Sequence, residues 1–328
     1  MANLQPSVPA KPSAVPAGMK RFVSSKITVA YAIIALLFLI GQLAAPGFSA
    51  FSNVMNVLNI SALLGFIALA QTLVVLSGDE GIDLSVGATA SLAAVMSSQI
   101  LNGVDGNIAQ AVAAVVAAGF FIGCVSGVGI SYFRIPPLVM TLAMASVIQG
   151  ISLVYTNGQP KGMASPALKQ LGTAQSFGIP NLVLLWILFA AAAALFLTRT
   201  KRGQALYGLG TNRLTTELSG IDTKAMRTLV YGASGAIAAF GGMMLLSYTG
   251  TSYLDIGSAY MLPTVIAVVI GGVSLAGGKG SYNGTVAGVI LLTTLSSILV
   301  TFHISEGGRQ IVYGAVLLLL LIAYARQK

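Results

Sequence analysis

The sequence predicts an all-α, polytopic membrane helix bundle of about ten transmembrane helices, with both termini in the cytoplasm. Three observations carry that prediction. Of 328 residues, 56% are hydrophobic and only 8% are charged, whereas a soluble domain carries roughly 25% charged residues on its solvated surface. Mean hydropathy is +0.88, and it is spread over nearly the whole length rather than held in one anchor. Apolar runs near the roughly 20 residues that cross the hydrocarbon core follow one another from residue 26 to the end.

Taken in order, residues 1–25 are rich in Pro, Ala and Ser without an apolar period, the composition of a disordered cytoplasmic tail. Lys26 to Ala45 forms the first span. Lys20 and Arg21 ahead of it and small residues near Ala50 also suit a signal peptide. The stretch is long enough to span, however, and more spans follow. Those are expected at 54–76, 84–101, 108–130, 138–156, 180–198, 226–248, 260–275, 284–302 and 309–325, the 260–275 segment being the shortest. Residues 26–328 thus read as a single membrane domain.

Charge sets the orientation. With the N-terminus inside and sides alternating, the inner segments hold fourteen basic residues, from Lys11 and Lys20 through Arg134, Lys201, Arg202, Arg213 and Lys279 to Lys328. The outer segments hold only Lys161, Lys169 and Arg309. This is the asymmetry of the positive-inside rule. The same placement argues against nucleic acid as a partner despite a net charge of +9, because the cations cap apolar runs instead of forming a stripe. Cys124 lies alone inside an apolar run, and there is one histidine, which leaves nothing for an internal disulfide or a metal cluster. No cofactor is implied.

Glycine is frequent, at 38 residues, and partly ordered. Gly119, Gly123 and Gly127 share one helix face, as do Gly284 and Gly288. In lipid such spacing lets helix backbones approach closely.

Three stretches interrupt the apolar pattern. Residues 77–87 (SGDEGIDLSVG) gather three carboxylates and three glycines. Ionisable groups beside a membrane mark a pathway or a partner contact, while Asp83 or Ser85 could cap the next helix. Residues 210–221 (GTNRLTTELSGI) read as a short amphipathic helix with Leu214 and Leu218 on one face and Gly220 as its stop. A solvated basic loop fits that pattern as well. Residues 271–281 (GGVSLAGGKGS) imitate a phosphate loop, but the spacing fails: Val273 stands where the first glycine belongs and Gly280 follows the lysine. The chain is therefore expected not to hydrolyse ATP itself.

Together GIDLSVG (81–87), Asn212 with LSGI (218–221), and GGVSLAGGKG (271–280) resemble the signatures of the ribose-type permeases of bacterial ATP-binding-cassette importers. They occur in that family's order and roughly its spacing, and the likeness runs from about residue 26 to the C-terminus. The resemblance implies a transport subunit of the bacterial inner membrane that is not itself an enzyme. Its implied partners are a cytoplasmic ATP-binding-cassette ATPase, a periplasmic solute-binding protein and a second permease subunit, identical or not, all assembled about the lipid bilayer. It also implies alternating access and a small neutral sugar as substrate. Residues 206–221 would form the coupling segment on the ATPase, with Gly210, Asn212, Leu214, Glu217, Leu218, Ser219 and Gly220 as its contacts. The chain departs from the family pattern at Asp79 and Glu80, where a plainer glycine turn is common, and at Thr215-Thr216-Glu217, where alanine is common. The first departure bears on the substrate and the second on which ATPase is matched.

Polar residues available to line a passage are Asn56, Asn59, Gln71, Thr141 and Gln149, with Asp83 and Ser85 from the first stretch. Permeases for branched-chain amino acids, nucleosides or other small solutes in the same superfamily are the nearest alternatives. An ion-coupled secondary transporter would bury a carboxylate or histidine in mid-span, whereas nearly all eight acidic residues here fall in loops or at span ends. His303 with Glu306 falls in a predicted outer loop and reads as solvated rather than catalytic.

Overall fold

A computed structural model describes residues 26–325, so the expected tail at 1–25 lies outside the described residues. Helices run through almost all of it. In chain order they are α1 (Lys26–Ala44), α2 (Phe51–Leu76), α3 (Val86–Leu101), α4 (Ile108–Ser131), α5 (Pro137–Thr156), α6 (Pro166–Thr173), α7 (Asn181–Arg199), α8 (Lys201–Thr211), α9 (Arg213–Leu218), α10 (Thr223–Thr249), α11 (Met261–Ile270), α12 (Tyr282–Thr301) and α13 (Glu306–Ala325). A two-residue hairpin, Gln175–Ser176 with Ile179–Pro180, joins α6 to α7. Seven of these helices are long and apolar enough to cross a membrane among the described residues, and α3 and the α11 region are shorter apolar helices.

The core forms around α2. Its 26 residues rise about 39 Å, and from Ser61 to Leu76 they are buried on every side. A helix apolar all round belongs at the centre of a bundle. α10 lies against α2, α3 and α4, while α12 packs on α11, α2 and α1. The outer helices α1, α4, α5 and α7 leave apolar side chains such as Leu39, Phe121, Val154 and Leu188 exposed, as faces meeting lipid do.

The glycine repeats are packing seams. A Cβ on Gly119 or Gly123 would overlap backbone of α10 at Gly235 or Tyr231, and one on Gly127 would lie 2.6 Å from Thr228 Cα. Gly284 and Gly288 press in the same way on Gly271 and Ala267. An aromatic knot closes the centre: Phe66 meets Phe189 and Phe240 edge-on, and those two rings stack at 4.9 Å. Nearby, the Trp186 indole donates to the Tyr282 hydroxyl at 2.8 Å, and that hydroxyl donates to Gly65 O at 2.8 Å. Both polar handles are thus satisfied inside the apolar core, tying α7, α12 and α2 together.

Two expectations need correction. The 260–275 span is a helix only over Met261–Ile270, about 15 Å long, or half the hydrocarbon core. A 3-10 turn over Ser258–Tyr260 precedes it and glycine turns follow. The single helix expected over 210–221 is broken at Asn212, whose extended backbone (φ −156°) ends α8 and starts α9.

Candidate functional site

The three unusual stretches converge on one end of the bundle. α2 ends there at Leu76, and the chain turns through Gly78, Asp79 and Glu80, all left-handed with φ of 79°, 52° and 55°. Glycine takes that conformation freely, but two successive non-glycines carry strain of order 1 kcal/mol or more each. Gly210 of α8 packs directly on this turn. A Cβ on Gly78 would lie 2.7 Å from Gly210 Cα, and one on Gly210 would overlap both Leu76 O and Gly278 N. Gly278 N donates to Leu76 O at 3.0 Å, and Gly277 leaves no room for a Cβ against Gly78. Glycines from all three stretches thus meet backbone to backbone.

Side chains lock the same junction. The Asp79 carboxylate lies 2.5 Å from the Arg227 guanidinium of α10 and 3.9 Å from that of Arg213, the first residue of α9. Arg227 is buried, so its charge is costly without a partner, which accounts for the strained turn that delivers Asp79. Tyr207 of α8 donates to Gly280 O at 2.9 Å, and Arg213 Nε donates to Thr223 Oγ1 at 3.3 Å. Burial pushes the Tyr207 phenol up, keeping it a neutral donor.

Beyond this clasp, α9 points outward. Asn212 caps it, accepting from Thr215 N at 3.0 Å, and Gly220 ends it with φ 83°. Leu214 and Leu218 are 67% and 80% exposed; Glu217 and Ser219 are exposed beside them. Gly210 does not share that surface, being committed to the glycine junction. Lys201, Arg202 and Lys224 are exposed at the same end.

Of the polar residues expected near a passage, four are engaged inside the chain. Gln71, fully buried, pairs with both backbone groups of Asp83: its amide nitrogen donates to Asp83 O at 2.9 Å and its oxygen accepts from Asp83 N at 3.3 Å. Asp83 accepts from Ser85 N at 2.9 Å, Ser85 Oγ at 2.6 Å and Ser234 Oγ at 3.2 Å. Burial raises its carboxyl pKa, and the bonds from Ser85 and Ser234 oppose that rise. Asp83 thus organises the entry to α3, and Ser85 makes no cap bond of its own. Thr141 donates to Pro137 O at 2.9 Å and Ile82 O at 3.3 Å. Asn56 and Gln149 are exposed. Asn59 is buried with its side-chain oxygen unpartnered.

The opposite end has a different construction. Ser252 meets Ser98 of α3 at 2.7 Å, and Gly257 N donates to Ser91 Oγ at 2.8 Å. The non-helical chain between them descends about 10 Å along α3 before α11 begins. Beside it lies a cavity of about 270 Å³ reaching α2, α10, α12 and the start of α13, with Tyr253, Tyr260, Thr293, Ser296, Glu306 and Arg309 in its lining. Glu306 and Arg309 pair with each other. The sequence offered no periodic sign of this cavity; the shortness of α11 was the available clue.

The family described as the permease component of a branched-chain amino acid transport system matches residues 53–322. The chain belongs to this permease family. The ribose import permease protein of Escherichia coli K12 is 33% identical over 92% of this chain and 95% of its own. That of Haemophilus influenzae is 31% identical over 88% and 91%. The autoinducer 2 import system permease protein of Escherichia coli SMS-3-5 is 30% identical over 93% and 88%. No solved structure matches. The permease is thus a multi-pass membrane protein.

Proposed function

We propose that the permease forms the membrane passage of an importer for a small neutral sugar of the ribose type, powered by a separate cytoplasmic ATPase. The observation that carries this reading is the exposed α9, held on a rigid junction of all three signature stretches. Residues 206–221 then act as the coupling segment. Gly210 fixes it to the bundle, Asn212 sets its angle, and Leu214, Glu217, Leu218, Ser219 and Gly220 meet the ATPase. Movement of α9 reaches the α2–α3 turn through Arg213 and Asp79, and the same carboxylate passes it to α10 through Arg227. Ligands at the two faces shift the balance between outward-open and inward-open states through their differential affinity for each.

The basic end that carries α9 is the cytoplasmic one, with ten membrane-embedded segments and both termini on the cytoplasmic side of the bacterial inner membrane. Residues 26–328 form one permease domain. A periplasmic binding protein delivers the solute at the opposite end, and a second permease subunit, identical or not, completes the passage. Asn56, Asn59 and Gln149 serve as polar contacts along it, while Gln71, Asp83, Ser85 and Thr141 hold its frame. Sugar is favoured over a branched-chain amino acid by the ribose import permeases among the relatives.

The test is reconstitution of the permease with ATPase and binding protein in liposomes, followed by uptake of D-ribose and ATP hydrolysis. Hydrolysis should rise when sugar-loaded binding protein is added, and uptake should stop on ATP depletion. Uptake that survives ATP depletion but collapses with an uncoupler would exclude the reading.

A further inference from the structure

Irregular backbone inside a membrane is tolerated where protein shields it or where it lines a wet cavity, and interrupted short helices mark solute sites in transporters. The 251–260 segment and half-length α11 answer to that description. Gly257 is pinned to Ser91 and packed against Gly87, where a Cβ on Gly87 would lie 2.8 Å from Gly257 O. The descending chain is therefore held in place beside the cavity.

The lining has a definite chemistry. Tyr253 and Tyr260 combine ring faces with hydroxyls; Ser296 adds a further hydroxyl, and Thr293, which donates to Val289 O at 2.8 Å, keeps its oxygen as an acceptor. A molecule carrying several hydroxyls on a carbon ring offers matching groups of both kinds. Glu306 and Arg309, the cavity's charged groups, pair with each other, so the field on a bound solute is nearly balanced. An ionic solute would have to break that pair to gain from either member. At about 270 Å³, the space lies near the bottom of the roughly 300–1,000 Å³ range of small-molecule pockets. It suits one small ring rather than an oligosaccharide.

We propose that this cavity is the outer binding site of the permease for a single neutral monosaccharide, with Tyr253, Tyr260, Thr293 and Ser296 contacting the sugar and the Glu306–Arg309 pair keeping the site neutral. The site rests on the import reading and gives it a substrate contact within the permease itself. A site built to hydrogen-bond hydroxyls discriminates strongly against ligands that lack them.

The full-length permease in lipid nanodiscs, with Cys124→Ser to remove the native thiol and Tyr253→Cys as the reporter, tests the site by maleimide labelling. D-ribose should slow labelling at least several-fold in a saturable way, while L-leucine at the same concentration leaves it unchanged. Val104→Cys, exposed in an outer turn, should label at one rate throughout. Equal labelling with and without ribose, or equal protection by leucine, overturns the site. A second measurement separates the site from the import reading. In the reconstituted importer, Thr293→Val should raise the sugar concentration for half-maximal uptake about tenfold, with ATP hydrolysis still stimulated by loaded binding protein. Normal uptake by that variant removes the site and leaves the import reading intact, whereas absence of ribose uptake by the unaltered permease removes the import reading.

Discussion

The two ends of the bundle close by different means. At the basic end, glycines from three distant stretches touch backbone to backbone, and a carboxylate joins two guanidiniums across them. At the opposite end, glycines such as Gly162 on Ser98 and Gly257 on Gly87 also pack on backbone, but hydroxyl contacts such as Ser98 with Ser252 stand where the charged clasp stands at the first end, the Glu306–Arg309 pair stays within α13, and a cavity remains. Backbone junctions have almost no slack, because nothing shorter than glycine can relieve a clash. Hydroxyl contacts are individually worth about 1 kcal/mol and break singly. The first end is thus sealed by packing and charge together, whereas the second keeps an open cavity.

The largest effect expected of this contrast comes from Gly210→Ala. The added methyl overlaps Leu76 O and Gly278 N, backbone atoms that cannot rotate away, so a loss of about 3 kcal/mol is expected. Thermal unfolding in detergent should show it; an unchanged melting temperature would mean that the junction is soft. Leu218→Asp should leave stability within about 0.5 kcal/mol, since the side chain is 80% exposed. It should nevertheless abolish co-purification of the ATPase and sugar uptake. Asp79→Asn should cost about 1–2 kcal/mol, discounted from a fully buried pair because Asp79 is half-exposed. It should also lower uptake per ATP hydrolysed, and retained coupling would confine Asp79 to a structural role. Asn212→Ala removes the α9 cap and should cost about 1 kcal/mol, with weaker ATPase affinity by titration. Ser252→Ala at the opposite end should cost at most about 1 kcal/mol. A larger loss there than at Gly210 would reverse the comparison.

Much of this architecture was legible in the sequence because lipid imposes long apolar runs. The expected limits of α3, α4, α5 and α7 fall within two residues of the observed helices. Where the reading failed, hydropathy had no breaking point to show. The Gly271-Gly pair that ends the helix at Ile270 is a turn signal, but hydropathy averaged over 260–275 runs past it. Asn212 was recognised within a motif, but its role as a cap between two helices depends on an extended backbone that amphipathic spacing does not register. The meeting of Gly78, Gly210 and Gly277 joins positions up to 199 residues apart, a distance over which no local pattern carries information. Asp79 looked like a departure from its family, and its reason appears only with Arg227 beside it. The polar residues Gln71 and Thr141 were visible as exceptions in apolar spans, yet their bonds to Asp83 and Ile82 required the folded chain.

Trp186 is the chain's single tryptophan, and its indole is bonded to a tyrosine that in turn holds the backbone of α2. Any rearrangement that slides α7 past α12 must stretch or release that bond and alter the polarity around the ring. The permease therefore carries its own optical gauge: intrinsic emission, excited selectively at the red edge, can follow the transport cycle in real time without an attached dye.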